Sequence, residues 1–222
     1  MDFLLVGILG SLWGSFANVC IYRLPLKGGV VKGRSFCPKC KKKIFWYENI
    51  PILSYLFLGG KCSKCKKKIS SQYLLVETIS TISFLIIYYF FGISLTSILL
   101  IILFLSFLII FFIDLKHYII PNILTFPMMV LGFVKSFDPN LNPIFPNYTN
   151  SLIGGIFGYL IIWTIILFYK KIRNKEGMGL GDAKLLAVIG FWFGWVSIPF
   201  IIFLSSAIAL IIVIPDLLKK SK

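Results

Sequence analysis

Only eight of the 222 residues are acidic, so each carboxylate can be weighed by its surroundings. Two of them stand where an apolar run stops. Asp114 closes Phe111-Phe112-Ile113-Asp114-Leu115-Lys116-His117, and an ionisable group directly after a long apolar run is costly enough to imply a function. Asp182 lies in Gly177-Met178-Gly179-Leu180-Gly181-Asp182-Ala183-Lys184, at the opening of another apolar run. The alternating glycines let the backbone approach a neighbouring segment closely, and a helix N-terminus favours a carboxylate. Facing each other, the two acids would share one proton, because like charges at close range do not both ionise cheaply. One would act as general base on a water while the other protonates a peptide carbonyl or leaving amine. Such a pair titrates as a unit, so base and acid are not assigned singly. The same residue types also fit other roles: Asp114 could anchor a helix end, Asp182 could cap one, or both could line an ion or proton path. Other catalytic sets lack their parts. His117 is the single histidine, and neither HExxH nor GxSxG occurs.

A second constellation is Cys37-Pro38-Lys39-Cys40 with Cys62-Ser63-Lys64-Cys65, with 21 residues between the pairs. Two CxxC knuckles at this spacing close a tetrahedral four-thiolate site, and structural zinc is the expected occupant. The lysine runs Lys41–Lys43 and Lys66–Lys68 follow the knuckles and offset the negative charge of four thiolates around Zn²⁺. Four protein ligands leave no open position for catalysis. Disulfides are the alternative, and a reducing compartment disfavours them. Cys20 falls inside an apolar run and reads as a small buried hydrophobe.

Helices in lipid must position these groups. The chain is 58% hydrophobic with a mean hydropathy of +0.91, more apolar surface than a soluble domain of this length can hide. Apolar runs at about 3–22, 73–91, 94–113, 122–136, 148–169, 183–196 and 198–214 lack the alternation of a membrane β-barrel. The runs 122–136, which contains Pro127, and 183–196 are short, so either is expected to be tilted, kinked or partly crossing. The expected fold is an all-α polytopic membrane protein of about seven transmembrane helices with a small cytoplasmic zinc-binding insert. Its organisation reads as a first transmembrane helix (1–22), a Cys₄ insert (23–72) and a helical membrane domain (73–222). The first run has no basic n-region and no small-residue cleavage site, so it is expected to stay as a helix rather than leave as a signal peptide. The formal net charge is +15, and placing 23–72 in the cytoplasm puts 22 of the 23 Lys and Arg on that side, Lys135 alone outside. That asymmetry is the positive-inside rule and argues for contact with a lipid bilayer rather than nucleic acid. The N-terminus is then external, and both aspartates emerge on the cytoplasmic face. Of the other acids, Asp2 and Asp138 fall outside, Glu48 and Glu176 sit in loops, Asp216 lies past the last run, and Glu77 could pair with a basic group of the insert. The Pro- and Asn-rich stretch 137–147 reads as an external turn region.

The order of motifs is more specific than any one of them. Gly14-Ser15-Phe16-Ala17-Asn18 with Tyr22-Arg23-Leu24-Pro25, Arg34-Ser35-Phe36-Cys37, Trp46-Tyr47-Glu48-Asn49-Ile50-Pro51, Gly60-Lys61-Cys62, Val76-Glu77, Asp114 to Asn122 and Gly177 to Leu185 occur in sequence across about 14–195. In this the chain resembles the type IV prepilin peptidases, the leader peptidase/N-methyltransferase family of GxGD-type membrane aspartyl proteases. The resemblance implies that Asp114 and Asp182 are the catalytic pair. The substrates would be prepilins or pseudopilins, cut after a glycine at the cytoplasmic face of a bacterial inner membrane. It further implies methylation of the new N-terminal residue from S-adenosylmethionine, with Gly60, Glu48 and Asn49 as methyltransferase-associated positions. Gly60 reads equally as a turn glycine, and Glu48 and Asn49 as residues ordering the zinc loop. The family usually carries eight membrane helices, and the eighth is not expected here, since the run ending at Ile214 is followed by Pro215-Asp216.

Overall fold

The structure, a computed structural model, describes residues 2–26, 35–37, 39–141, 144–174 and 179–220, the last six by their backbone. Among them stand eight α-helices: α1 (Asp2–Arg23), α2 (Leu53–Phe57), α3 (Ser71–Phe91), α4 (Leu95–His117), α5 (Asn122–Val134), α6 (Tyr148–Arg173), α7 (Leu180–Phe193) and α8 (Ser197–Lys220). All but α2 coincide with the expected apolar runs. Five of them are long and apolar enough to cross a membrane. The other two, α5 and α7, have 13 and 14 residues, so each rises only about 20 Å against the roughly 30 Å of a hydrocarbon core. The described residues contain no strand beyond two isolated bridges in the insert. Of the 137–147 turn region, Asn142 and Pro143 lie outside the described residues.

Local chemistry sets the helix ends. Ser70 caps α3 by accepting from the Gln72 N–H, and Ser94 caps α4 by accepting from the Ser97 N–H. At its other end α4 stops on Tyr118, in the left-handed region at φ 54°, whose N–H donates to the Asp114 carbonyl at 2.9 Å; Pro121 follows shortly.

The chain forms two compact units, Met1–Pro121 and Asn122–Lys222. In the first, α1 and α3 run antiparallel, and glycines set their separation. A Cβ on Gly10 would lie 2.9 Å from the Thr81 Cα, and one on Gly14 would lie 2.8 Å from the Glu77 Cα. Close backbone approach of this kind is how helices gain contact in lipid, where burial from water supplies no drive between them. Further along the same seam the Asn18 Nδ2 donates to the Tyr73 carbonyl at 3.1 Å, and Cys20 is buried.

The second unit repeats the device between α6 and α7. Gly154 and Gly190 bring their backbones into contact, and a Cβ on Gly158 would lie 2.7 Å from the Leu186 carbonyl oxygen. The Ser151 hydroxyl donates to the Phe191 carbonyl at 2.7 Å, and the fully buried Trp192 donates its ring N–H to the Met128 carbonyl at 2.8 Å. Lys135, the one basic residue expected outside, is buried at 5% exposure. Its Nζ donates to the Trp192 carbonyl at 3.1 Å, near the end of α7, and lies 3.8 Å from the centre of the Phe145 ring. A helix C-terminus and an aromatic face are both suited to a cation, so these two groups compensate the charge.

Gly158→Leu should destabilise the second unit by about 1–3 kcal/mol, because the facing group is backbone and cannot step aside. Thermal unfolding in detergent checks this against Gly7→Ala, whose Cβ meets nothing closer than 3.8 Å and should leave the midpoint unchanged.

Candidate active site and metal centre

Asp114 lies in the last turn of α4 and is exposed. A helix C-terminus carries partial negative charge and repels a carboxylate, so its position is not that of a favourable helix anchor. Among the described residues, neither its side chain nor that of exposed His117 makes a hydrogen bond. Asp182 lies in the first turn of α7, where the same dipole favours it. The N-cap there is Gly179, at φ −83° and ψ 149°, so Asp182 is not the capping residue that its position in the sequence allowed. A Cβ on Gly179 would meet nothing nearer than the Gly181 nitrogen at 3.8 Å, so the expected close approach is not seen at that glycine among the described residues. Gly177 and Met178 lie outside the described residues. Two residues on, Lys184 donates to the Asn122 Oδ1 at 2.8 Å and fixes the start of α7 against the start of α5. Asp114 belongs to the first unit and Asp182 to the second.

The four cysteines converge. Their Sγ atoms all lie within 4.8 Å of one another, with Cys37–Cys65 and Cys40–Cys62 at 3.9 Å. That is far beyond a disulfide bond and close to the roughly 3.8 Å edge of a tetrahedron of sulfurs about 2.3 Å from a zinc ion. The donor set and its shape therefore fit a tetrahedral metal. The two knuckles share one backbone design. Cys37 N–H donates to the Lys42 carbonyl and Lys41 N–H to the Cys37 carbonyl, both at 2.9 Å; the matching bonds Cys62→Lys67 and Lys66→Cys62 are both 3.0 Å. Lys41 and Lys66 take the same left-handed backbone, at φ 59° and 55°. Backbone N–H groups of Cys65 and Lys64 turn onto the Cys62 sulfur and lower its thiol to about 6. Such donors prepare a thiolate for a cation.

Glu48 ties the knuckles together. Its carboxylate accepts from Lys42 Nζ at 2.8 Å, beyond the first knuckle, and Lys42 also donates to the Ser63 hydroxyl at 2.7 Å, inside the second. The Phe45 N–H donates to the other Glu48 oxygen at 3.1 Å. With Lys42 as the main cause, the Glu48 carboxyl falls to about 2. Glu48 and Asn49 also line a cavity of about 450 Å³, bordered by Arg23, Lys67, Tyr55 and Glu77. Gly60 has φ +64°, and a Cβ there would press on the Tyr55 ring at 3.0 Å. Its glycine is thus required by the turn, and through Tyr55 it shapes the cavity wall.

The role of Glu77 as a backbone acceptor was not identified from the sequence. Buried Glu77 accepts from the Ile52 N–H at 2.7 Å and from the Ser15 hydroxyl. Ile52 sits at φ 62° and ψ −56°, an uncommon conformation for a β-branched residue, held by that bond at the start of α2. The available signal was an acid within an apolar helix, by the same reasoning that singled out Asp114.

A family model described as Bacterial Peptidase A24 N-terminal domain matches residues 8–91, and one described as Type IV leader peptidase family matches residues 101–214. A curated Pseudomonas aeruginosa protein named prepilin leader peptidase/N-methyltransferase is 35% identical over 228 residues, covering 92% of this chain and 77% of its own. A Vibrio cholerae protein of the same name is 37% identical over 216 residues, covering 94% and 84%. No solved structure gives a significant match.

Lys42→Met should return the Glu48 carboxyl from about 2 towards its ordinary 4.5, measured by a carbon-13 titration of the glutamate side chains. The sign follows from linkage. A depressed carboxyl stabilises the insert fully above its ordinary range, and the contribution is lost as pH falls through about 2. The wild-type insert should therefore keep this support at pH 4, and the variant should show no such contribution.

Proposed function

The chain belongs to the type IV leader peptidase family, and from that premise we propose that it removes the short basic leader of a prepilin or pseudopilin, cutting after a glycine. The catalytic pair is Asp114 with Asp182. One carboxylate takes a proton from the attacking water while its protonated partner gives its own to the carbonyl oxygen. The proton taken from the water then passes to the leaving amine as the C–N bond breaks, and the diol returns the other to the pair. The observation that carries this reading is Asp114 at the C-terminal end of α4, exposed and opposed by the helix dipole, a position that structure alone does not favour. The relatives' names give the ion-path alternative no support. We place the chain in a bacterial inner membrane with its N-terminus outside and both acids at the cytoplasmic boundary, where charge asymmetry puts the insert. Segment 1–22 is then the first membrane helix, 23–72 the insert and 73–222 the peptidase domain.

The insert would hold zinc on Cys37, Cys40, Cys62 and Cys65 as a structural ion. We assign methylation of the new amino terminus to the same insert. S-adenosylmethionine would supply an electrophilic methyl group there, and it carries both cationic and anionic groups. The 450 Å³ cavity, with its basic rim and two carboxylates, suits such a ligand, and Glu48, Asn49 and the wall set by Gly60 and Tyr55 would orient it.

Asp114→Asn and Asp182→Asn should each lower leader cleavage by about a thousandfold or more while the protein remains folded in the membrane, since one neutral amide removes the shared proton. Near-normal processing by either variant would contradict the pair. Purified protein should carry one zinc per chain. The ion should leave in mild acid as the thiolates protonate, while the Lys42–Glu48 pair is still intact. A metal measurement showing no zinc beside reduced, unmodified thiols would contradict the centre.

A further inference from the structure

The short helix α2 has two faces of opposite character. Inward, Tyr55 packs on Gly60 and lines the insert's cavity. Outward, Leu53, Leu56 and Phe57, spaced i, i+3 and i+4 along one helix face, are all exposed, Phe57 at 86%. The adjoining turn, Trp46–Asn49, which packs beside α2, adds Trp46 at 81% exposure with Tyr47 and the preceding Phe45. These rings already sit against one another: Phe45 stacks on Tyr47 at 5.5 Å, and Trp46 meets Tyr47 edge-on at 5.8 Å. An ordered apolar patch of this size is costly in water.

Two observations say what covers it. The first is depth. The Ile52 N–H at the start of α2 is bonded to Glu77, which lies about 9 Å along α3 from Ser71. Since α3 is 21 residues long, about the thickness of a hydrocarbon core, that bond holds the start of α2 beside the first turns of a membrane helix, within the outer part of the bilayer. The antiparallel α1 ends in Arg23 on the same side, beside the Asn18–Tyr73 bond. The second is charge. Residues 23–72 carry thirteen Lys and Arg against one acid, Glu48, itself held by Lys42. Lys42 also lies over the Phe45 ring at 5.2 Å. Tryptophan and tyrosine amid lysines, beside the first turns of a membrane helix, match the interfacial zone of an acidic bilayer.

We propose that the face formed by Phe45, Trp46, Tyr47, Leu53, Leu56 and Phe57 beds into the headgroup layer of the membrane, its lysine rim holding anionic lipid. The insert is then a surface-docked module, hinged on Glu77, rather than a domain standing in water.

Full-length protein labelled with 5-fluorotryptophan and placed in phosphatidylcholine/phosphatidylglycerol nanodiscs tests this, with the Trp46 resonance assigned through Trp46→Phe. A nitroxide carried at the lipid headgroup should broaden that line several-fold more than an aqueous nickel chelate does. Leu56→Ser with Phe57→Ser should reverse the order, while the line of fully buried Trp192 reports an unchanged fold. Omitting phosphatidylglycerol should weaken the lipid broadening, and no change on its omission would overturn the anionic-lipid assignment. A Trp46 line broadened chiefly by the aqueous reagent overturns the proposal. So does one shielded from both reagents, the result that a covering protein or a second copy would give.

Discussion

A carboxylate beside lipid must be compensated or used, and the few acids of this chain show both outcomes. Glu77 is compensated: buried in α3, it accepts from the Ile52 N–H and thereby fixes the insert to the membrane helix. Glu48 is compensated by Lys42, which in turn reaches Ser63 of the second knuckle. Asp182 sits where a helix dipole receives it, and Asp114 where one opposes it. The remaining architecture follows from the same constraint. Helices close on glycine seams because neither apolar burial from water nor surface charge can hold them together in lipid.

The membrane helices were legible because apolar runs of this length are at home only in lipid, and the seven apolar helices fall where the runs stand. The cysteine centre was legible from spacing, since CxxC leaves two thiolates little choice but one shared ion. The tertiary use of single polar groups was not. Nothing local announces that Glu77 accepts from a backbone N–H, because its partner lies 25 residues away on a strained turn. The burial of Lys135 was not legible either: counted only as a charge, it lies over Phe145 at the end of α7. Charge counting reads sides of a membrane, and it does not see an aromatic face that arrives from another segment.

The positions that the family resemblance associates with methyl transfer acquire a structural account that the motif alone left open. Glu48 orders the knuckles, and Gly60 occupies a positive-φ turn against Tyr55. Both also bear on the cavity, so ordering the insert and the proposed ligand binding would draw on the same residues. A substitution at Gly60 would move Tyr55 and with it the cavity wall. The two acids proposed for peptide cleavage lie on α4 and α7, outside the insert, so the two proposed chemistries would rest on separate elements of the chain.

Mass spectrometry of a co-expressed prepilin tests the central claim most directly, because one mature N-terminus reports both activities. The account predicts a product lacking its leader after the glycine and one methyl group heavier than the bare cleaved chain. A prepilin recovered with its leader intact, from membranes holding folded enzyme, would contradict it.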